Sequence, residues 1–187
     1  MKTNFHPHET VLETYDVTGI TAELVQWDAA IWCGCLEYAA NNTDEPDVDA
    51  ALNRFMALPF DAVRKAEEDW DICVSLNYLS ADRPNGVMFG FLAESDEQPE
   101  ECNILRTPAA LYIRIALTDE TAHALGHDPW PGGIPPHEWI GKQIAPTFGY
   151  SYGSDTLPIV EYYGFYDPAG NAHTYRYLYV PVEKVEE

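Results

Sequence analysis

The side chain of this sequence best placed for chemistry is Glu161, a carboxylate in the middle of an otherwise apolar and aromatic segment, LPIVEYYGFY. Side chains alternate between the two faces of a strand, so Glu161 shares a face with Ile159, Tyr163 and Phe165. A carboxylate on an apolar wall is unfavourable unless it is paired. Three interpretations stay open: this face meets solvent, Arg176 on the next strand pairs with Glu161, or Glu161 lies at the base of an aromatic pocket as the counter-ion of a ligand.

Aromatic side chains are the second requirement of such a pocket, because flat π faces attract cations and stack on planar compounds. Most aromatic residues of a domain belong to its core, so each one also has a purely structural interpretation. In the last strand, tyrosines alternate with Leu178 and Val180, so one of its two faces should line a cleft, and the sequence does not decide which. The candidate ligand-binding residues are Glu161, Tyr163, Tyr112, Trp139, Tyr177, Tyr179, Phe91 and Tyr78.

The same residues also allow a catalytic interpretation. An apolar setting raises the pKa of a glutamate, and Glu161 beside the hydroxyl of Tyr163 or another tyrosine could then activate water against an electrophilic small molecule. In this hypothesis Glu161 and Tyr163 are the catalytic residues.

Metal and cofactor motifs are weak in this sequence. His6 and His8, and also His123 and His127, have spacings that suit pairs of imidazole ligands, but no third ligand stands at a characteristic distance. No glycine-rich phosphate loop follows a predicted strand, and no G-x-S-x-G elbow is found. We therefore expect neither a metal nor a cofactor.

Charge and composition narrow the function further. The 187 residues carry 31 acidic and 10 basic side chains, a net charge of -21, so direct binding of nucleic acid is not expected. Three accounts of this charge stay open: a solvated surface suited to high salt, a field that steers cationic ligands, or a mimic of DNA charge that contacts a protein partner such as gyrase.

Cellular context is predicted from what the sequence lacks. It shows neither the apolar run of a signal peptide nor an 18-residue uncharged hydrophobic segment, so we expect a cytoplasmic protein that does not bind membranes. The four cysteines have no C-x-x-C spacing and are expected to be free thiols. A protein partner or a homodimer stays open.

The elements that position these residues follow from periodicity and turn chemistry. The β-branched segment Val11–Trp27, interrupted by Gly19, predicts two strands. Asp28 then predicts the N-cap of a helix over 29–40, AAIWCGCLEYAA, in which apolar residues repeat at spacings of three and four.

The rest of the chain predicts a second helix, two hairpins and a third helix. The second helix starts at Asp49 and stops before Pro59, and the third is opened by Pro135 and Pro136. Strands are predicted over 70–79 and 86–95, over 103–117, and over 157–166 and 173–183. The order of strand, helix and hairpin therefore occurs twice.

This order predicts an α+β fold in which two pseudo-symmetric β-α-β-β units form curved antiparallel sheet flanked by helices. We expect one small-molecule-binding domain over 1–187, with half-repeats at about 10–100 and 103–187.

Four stretches in this order carry a resemblance to a known family: ILRTPAALYIRIAL, IPPHEWIGKQIAPTFGY, IVEYYGFY and YLYVPVEK. Together they resemble the GyrI-like family, also met as the effector-binding domain of AraC-type and multidrug-sensing regulators, and the similarity is best over 70–184. No helix-turn-helix segment is found in the sequence, so the resemblance implies a stand-alone effector-binding domain rather than a direct transcriptional regulator.

The resemblance implies a cleft that takes amphipathic compounds, cationic or planar and aromatic, with Glu161 at its base. It also implies an enzymatic alternative, because some GyrI-like proteins are hydrolases that open cyclopropane rings in DNA-alkylating compounds. Sequestration and hydrolysis would use the same pocket.

Overall fold

The computed structural model describes residues 9–17, 19–41, 44–66, 72–78, 85–116, 136–153, 157–164 and 176–185, of which 72–78, 136, 162–164 and 176 are described by their backbone alone. The predicted turns of both hairpins and the histidines at 6, 8, 123 and 127 lie outside these residues.

Strands dominate the described chain. The first half contains β1 (Glu9–Val17), β2 (Ile20–Trp27), β3 (Ala30–Tyr38), helix α1 (Val48–Met56), a 3-10 turn (Phe60–Ala62), β4 (Ile72–Tyr78) and β5 (Gly86–Leu92). The second half contains β6 (Asn103–Thr107), β7 (Ala110–Ala116), helix α2 (136–148), β8 (Tyr150–Tyr152), β9 (Ile159–Gly164) and β10 (Arg176–Lys184).

Both helices begin within one residue of the predicted positions, at Val48 and Pro136. Asp47 caps α1, since its side chain accepts a hydrogen bond from the backbone N–H of Ala50 at 2.8 Å. Helix α2 starts as an α-helical turn at Pro136, widens to a π-helical turn over Ile140–Ile144 and closes as a 3-10 turn. Gly149, with a φ of 80°, provides the left-handed residue that ends it.

All strands pair antiparallel in one curved sheet, in the order β1-β2-β7-β10-β9-β4-β5-β3-β6, with β8 beside β10. The predicted α+β fold with two β-α-β-β units is confirmed: the units are β3-α1-β4-β5 and β7-α2-β9-β10. Their strands appear in the sheet in mirrored order, so the units are related by a pseudo-two-fold axis at the seam between β9 and β4.

A second connection joins the units at the outer ends of the sheet. Trp27 of β2 pairs with Ala110 of β7, and Ala30 of β3 pairs with Thr107 of β6. The β2–β7 ladder therefore continues into the β3–β6 ladder in the same register, across a bend that both strands make. Each strand bends through two residues, and Pro108 lies in one of these links, where no ladder bond is lost. The single extended segment predicted over 103–117 is therefore two strands.

The helix predicted over 29–40 is wrong, because this segment forms β3. Both faces of β3 are covered, with Trp32 on one side and Cys33 and Cys35 on the other, so the strand lacks the polar alternation that would have identified it. Gly34 explains its close packing on β5, since a Cβ at this position would lie 1.9 Å from the carbonyl oxygen of Phe89. Tertiary contact overrides the local helical spacing.

Three apolar clusters fill the structure. The α1 cluster packs helix α1 on β3 and β5 through Phe55, Phe89 and Phe91. The α2 cluster packs helix α2 on β7, β9 and β10 and includes Trp139, Ile140, Ile159, Leu178 and Val180. The interior cluster lines the opposite face and includes Trp27, Trp32, Met88, Tyr112, Val160 and Tyr179.

Candidate functional site

Glu161 lies in the middle of β9, at the seam between the two units. Its backbone is opposite Ser75 of β4 on one side and Leu178 of β10 on the other. Directly paired residues of an antiparallel sheet share a face. One row of such residues crosses the sheet through this position: Cys35, Phe89, Ser75, Glu161, Leu178, Ile115 and Ala22.

This row shows which face of the sheet carries Glu161. Phe89 belongs to the α1 cluster and Leu178 to the α2 cluster, so both helices cover the same face. Glu161 stands between the two clusters and is half-buried. A carboxylate at the seam, flanked by two apolar clusters on the helix-bearing face, is therefore a feature of the fold.

His137, in the first turn of α2, is the titratable neighbour of Glu161. Burial lowers the pKa of the His137 imidazole, and the positive charge of Lys142 lowers it further. The negative charges of Glu138 and Glu161 raise it. The net pKa of His137 lies below its ordinary value, so the imidazole is neutral at pH 7. The Glu161 carboxylate and the neutral His137 imidazole are thus electrostatically coupled at this edge of the α2 cluster.

Trp139 lies on the same side of the sheet as Glu161, buried in the α2 cluster. Phe91 lies in the α1 cluster, where its ring centroid is 5.1 Å from that of Phe55, and the ammonium of Lys65 lies 4.6 Å above it. The helix-bearing face therefore carries Glu161, Trp139 and Phe91 in three separate surroundings.

Three of the predicted ligand-binding tyrosines lie on the other face. Tyr112 and Tyr179 are fully buried in the interior cluster, and Tyr177 packs against its edge. Tyr179 pairs with Val160, the neighbour of Glu161, and adjacent residues of a strand point to opposite faces. The sheet thus separates these tyrosines from Glu161, and it is Leu178 and Val180 that share the face of the carboxylate.

The side chains of Tyr163 and Tyr78 lie outside the described atoms. The backbone of Tyr163 is opposite Cys73 and Arg176, and that of Tyr78 is opposite Gly86. The predicted pairing of Arg176 with Glu161 and the position of Phe165 also lie outside what the structure describes.

The interior holds a buried ionic network that the sequence analysis missed. Arg114, only 3% exposed, forms ion pairs with Glu9 and Glu23, and its Nε donates to Glu23 at 2.8 Å. The indole Nε1 of Trp27 donates to Glu9 at 2.9 Å, and Arg114 Nη1 lies 3.5 Å from the hydroxyl of Tyr179. One cation and two carboxylates therefore satisfy one another inside an aromatic shell.

The aromatic shell adds to this network. The guanidinium of Arg114 lies 5.4 Å from the ring centroid of Tyr177 and 5.9 Å from that of Tyr179. Burial raises the pKa of Glu9, an effect that Arg114 and Trp27 oppose. Burial lowers the pKa of Arg114, but Tyr179 and the carboxylates outweigh it and the net pKa is raised.

A signal for this network was present in the sequence. Arg114 and Tyr112 share one face of β7, and Ile113 and Ile115 lie on its other face. Both faces are therefore buried, and a buried guanidinium requires carboxylate partners. Nothing in the sequence identifies Glu9 as one of them, since 105 residues separate the two.

Among the described residues, no three His, Cys, Asp or Glu side chains are arranged to hold a metal ion. Within the same part of the chain, no helix has the length and apolarity needed to cross a bilayer.

Comparison with known proteins gives a class for the fold. No protein-family model matches the sequence, and no curated protein matches it. Among solved structures, the chain is similar to SAV2435 bound to tetraphenylphosphonium, with a TM-score of 0.57 and 13% identity over 92% of this chain and 94% of that one. It is also similar to the C-terminal domain of EcmrR, with a TM-score of 0.51 and 14% identity over 89% of this chain and 99% of that one.

These similarities confirm the fold that the resemblance implies, the GyrI-like effector-binding fold. At such low identity they concern the fold alone.

Proposed function

We propose that this chain binds small amphipathic compounds, cationic or planar and aromatic, over the β4–β9 seam, with Glu161 as the counter-ion. The observation that carries the proposal is the half-buried position of Glu161 between the α1 and α2 clusters on the helix-bearing face. A carboxylate flanked by apolar clusters interacts with a cation more strongly than a carboxylate in bulk water does. Support also comes from the similar structure of SAV2435, which was determined with a lipophilic aromatic cation.

Both half-repeats would contribute to this binding site. Residues of about 10–100 supply β4 and the α1 cluster, and residues of about 103–187 supply β9 and the α2 cluster. We therefore propose that 1–187 acts as one binding domain with the site at its pseudo-two-fold axis.

The net charge of -21 favours cations over anions as ligands. A surplus of negative charge attracts cations before contact and raises their association rate, and salt screens this attraction. We expect the association rate of a cationic ligand to fall as salt is added, whereas that of a neutral analogue of similar shape stays constant.

The test is a titration of the protein with tetraphenylphosphonium, followed by calorimetry or by tryptophan fluorescence, with triphenylphosphine oxide as the neutral comparison. Glu161→Gln should weaken cation binding by about tenfold or more, the size expected for a lost interaction with a charged group. Glu100→Gln removes the same charge from an exposed turn and serves as the matched control, with unchanged affinity. Equal affinities of the wild type and Glu161→Gln would contradict the counter-ion role.

A second candidate function is hydrolysis of cyclopropane-bearing or other electrophilic compounds at the same site. The observation that favours it is the electrostatic coupling of Glu161 with the neutral His137, because a carboxylate and an imidazole together can hold and deprotonate a water molecule. In this case Glu161, with Tyr163, is the activator of water. Incubation with a cyclopropane-bearing alkylator should give a ring-opened product in excess of the protein, and stoichiometric loss without turnover would leave binding alone.

A further inference from the structure

Strand β1 sends a single buried side chain, that of Glu9, into the interior of the protein. β1 is the first strand in the sheet order, and among the described strands it pairs only with β2. Of its nine residues, Glu9 is buried and the others are exposed or half-buried. The Glu9 side chain has an exposed fraction of 0%. An edge strand therefore delivers a fully buried carboxylate.

A β-bulge at Leu12 divides β1 into two parts. The register with β2 shifts at this residue. After the bulge, Tyr15 stacks on Phe148 of α2, with ring centroids 3.6 Å apart. Before the bulge, residues 10 and 11 are exposed, and only Glu9 enters the interior. Because a bulge interrupts the ladder and bends the strand, residues 9–11 can separate from β2 while the second part of β1 stays in place.

The groups that donate to the Glu9 carboxylate are positioned by other strands. Arg114 of β7 lies directly opposite Glu23 of β2, whose carboxylate accepts from Nε at 2.8 Å and from Nη2. This pairing directs Nη1 of Arg114 at one oxygen of Glu9. The indole Nε1 of Trp27 donates to the other oxygen at 2.9 Å. Both donors belong to the β2–β7 ladder, so the site is formed without β1.

Aromatic rings surround the two donors. The ring centroid of Trp27 lies 4.4 Å from that of Tyr112 and 4.8 Å from that of Tyr179, and all three side chains are buried. A hydrogen bond to a charged group is stronger in such a setting than in water. A few fixed polar groups within an apolar and aromatic lining are typical of a small-molecule site.

We propose that Trp27 and Arg114 form a carboxylate-binding site, that β1 fills it with Glu9 as a tethered ligand, and that a free monocarboxylate competes with Glu9 for it. Propionate is the compound that matches, because the glutamate side chain beyond Cα has the same three carbons and the same charge. The site lies on the face of the sheet opposite Glu161 and takes an anion. The inference therefore does not depend on the proposed cation binding.

The tether explains why a residue of the chain occupies the site. The net charge of -21 repels free anions, which slows their approach. Glu9, held next to the site by β1, has an effective concentration of roughly millimolar or more. A free carboxylate therefore gains the site of the wild type only when it is in large excess. In this role β1 keeps the interior closed to anionic compounds.

The test removes the tethered carboxylate and supplies it again from solution. Glu9→Ala vacates a space of the size of propionate beside Arg114. We expect sodium propionate to raise the melting temperature of this variant with saturation, at a roughly millimolar dissociation constant. Propionamide, which has a similar shape and no charge, and sodium chloride at equal ionic strength should give no saturable rise. No rise with propionate, or an equal rise with propionamide, would overturn the proposal.

Two controls locate the bound propionate. Glu13→Ala removes an exposed carboxylate from the same strand and should show no saturable response. The indole N–H resonance of Trp27 in nuclear magnetic resonance spectra should move in Glu9→Ala and return towards its wild-type position as propionate is added, since this group donates to Glu9. A rise in melting temperature without this return would show that propionate binds elsewhere and that the assigned site is wrong.

The wild type gives a separate test, which holds even where Glu9→Ala does not fold. Propionate in large excess should accelerate hydrogen exchange at residues 9–11, compared with sodium chloride at the same ionic strength. Exchange beyond the bulge should stay constant, because Tyr15 still stacks on Phe148. Exchange at residues 9–11 that does not respond to propionate would contradict the competition with Glu9.

Discussion

Glu161 of β9 lies directly opposite Ser75 of β4 in the ladder that joins the two β-α-β-β units. The pair is near the middle of that ladder, and the residues beyond it in the same row, Phe89 and Leu178, belong to the clusters under α1 and α2. The carboxylate therefore lies where the two units meet on the helix-bearing face. A ligand held there would contact both halves.

The first prediction tests which face of the sheet binds the ligand. Trp139 shares the helix-bearing face with Glu161, whereas Tyr177 lies at the edge of the interior cluster on the other face. Trp139→Leu should weaken tetraphenylphosphonium binding by about threefold to tenfold, the size of a cation–π contact, and Tyr177→Leu should leave it unchanged. The reverse order of effects, measured by calorimetry on folded variants, would place the ligand in the interior.

The second prediction concerns the buried Arg114. Arg114→Met leaves Glu9 buried without its cation and should lower the free energy of unfolding by about 3–5 kcal/mol. The double variant Arg114→Met with Glu9→Gln should recover most of this loss, because the remaining carboxylate of the network, Glu23, is 24% exposed and can be hydrated. Chemical denaturation measures both, and Arg106→Met, which breaks the exposed ion pair with Asp96, is the control, with a change below about 1 kcal/mol.

The third prediction contrasts two buried tyrosine hydroxyls. The hydroxyl of Tyr112 has no hydrogen-bond partner among the described residues, whereas that of Tyr179 contacts Arg114 and Glu9. Tyr112→Phe should therefore leave stability unchanged or raise it, and Tyr179→Phe should lower it by about 1–3 kcal/mol. Equal losses in thermal denaturation would show that Tyr112 has a polar partner outside the described chain.

The fourth prediction concerns acid pH and His137. The pKa of His137 in the folded protein is lower than its ordinary value of 6.5, so protonation is less favourable in the folded state than in the unfolded state. Its contribution to stability is present above pH 6.5 and is lost as pH falls through the lowered pKa. The charged groups around it are Glu138 and Lys142 on its own helix and Glu161 on β9.

The measurement for this prediction is the free energy of unfolding between pH 7 and pH 5. His137→Gln should lose less stability than the wild type over this range, because it cannot take up the proton. If the free energy of unfolding fell equally with pH in the wild type and in His137→Gln, His137 would not cause the loss of stability at acid pH.

Local sequence patterns were sufficient to predict most of the helices and strands. Pro136 and Gly149 mark the ends of α2, Asp47 caps α1, and Gly19 supplies the positive φ of 86° between β1 and β2. Turn chemistry depends on a few adjacent residues, so the roles of Gly19 and Pro136 were predicted, whereas the cap predicted at Asp28 was wrong and the caps Asp47 and Gly149 were not predicted. The segment 30–38 was mistaken for a helix because both of its faces are buried, one beneath helix α1 and the other in the interior cluster.

The sequence by itself identified Glu161 as the candidate carboxylate and predicted the doubled element order. It also predicted that no basic surface binds nucleic acid. Each of these depends on residue types and their neighbours along the chain. Only the tertiary structure decided that Tyr112 and Tyr179 point away from Glu161, and that Glu9 neutralises Arg114. The physical reason is the pairing of strands: the pleat makes side chains alternate, but partners distant in the sequence determine which face is covered and which charges meet.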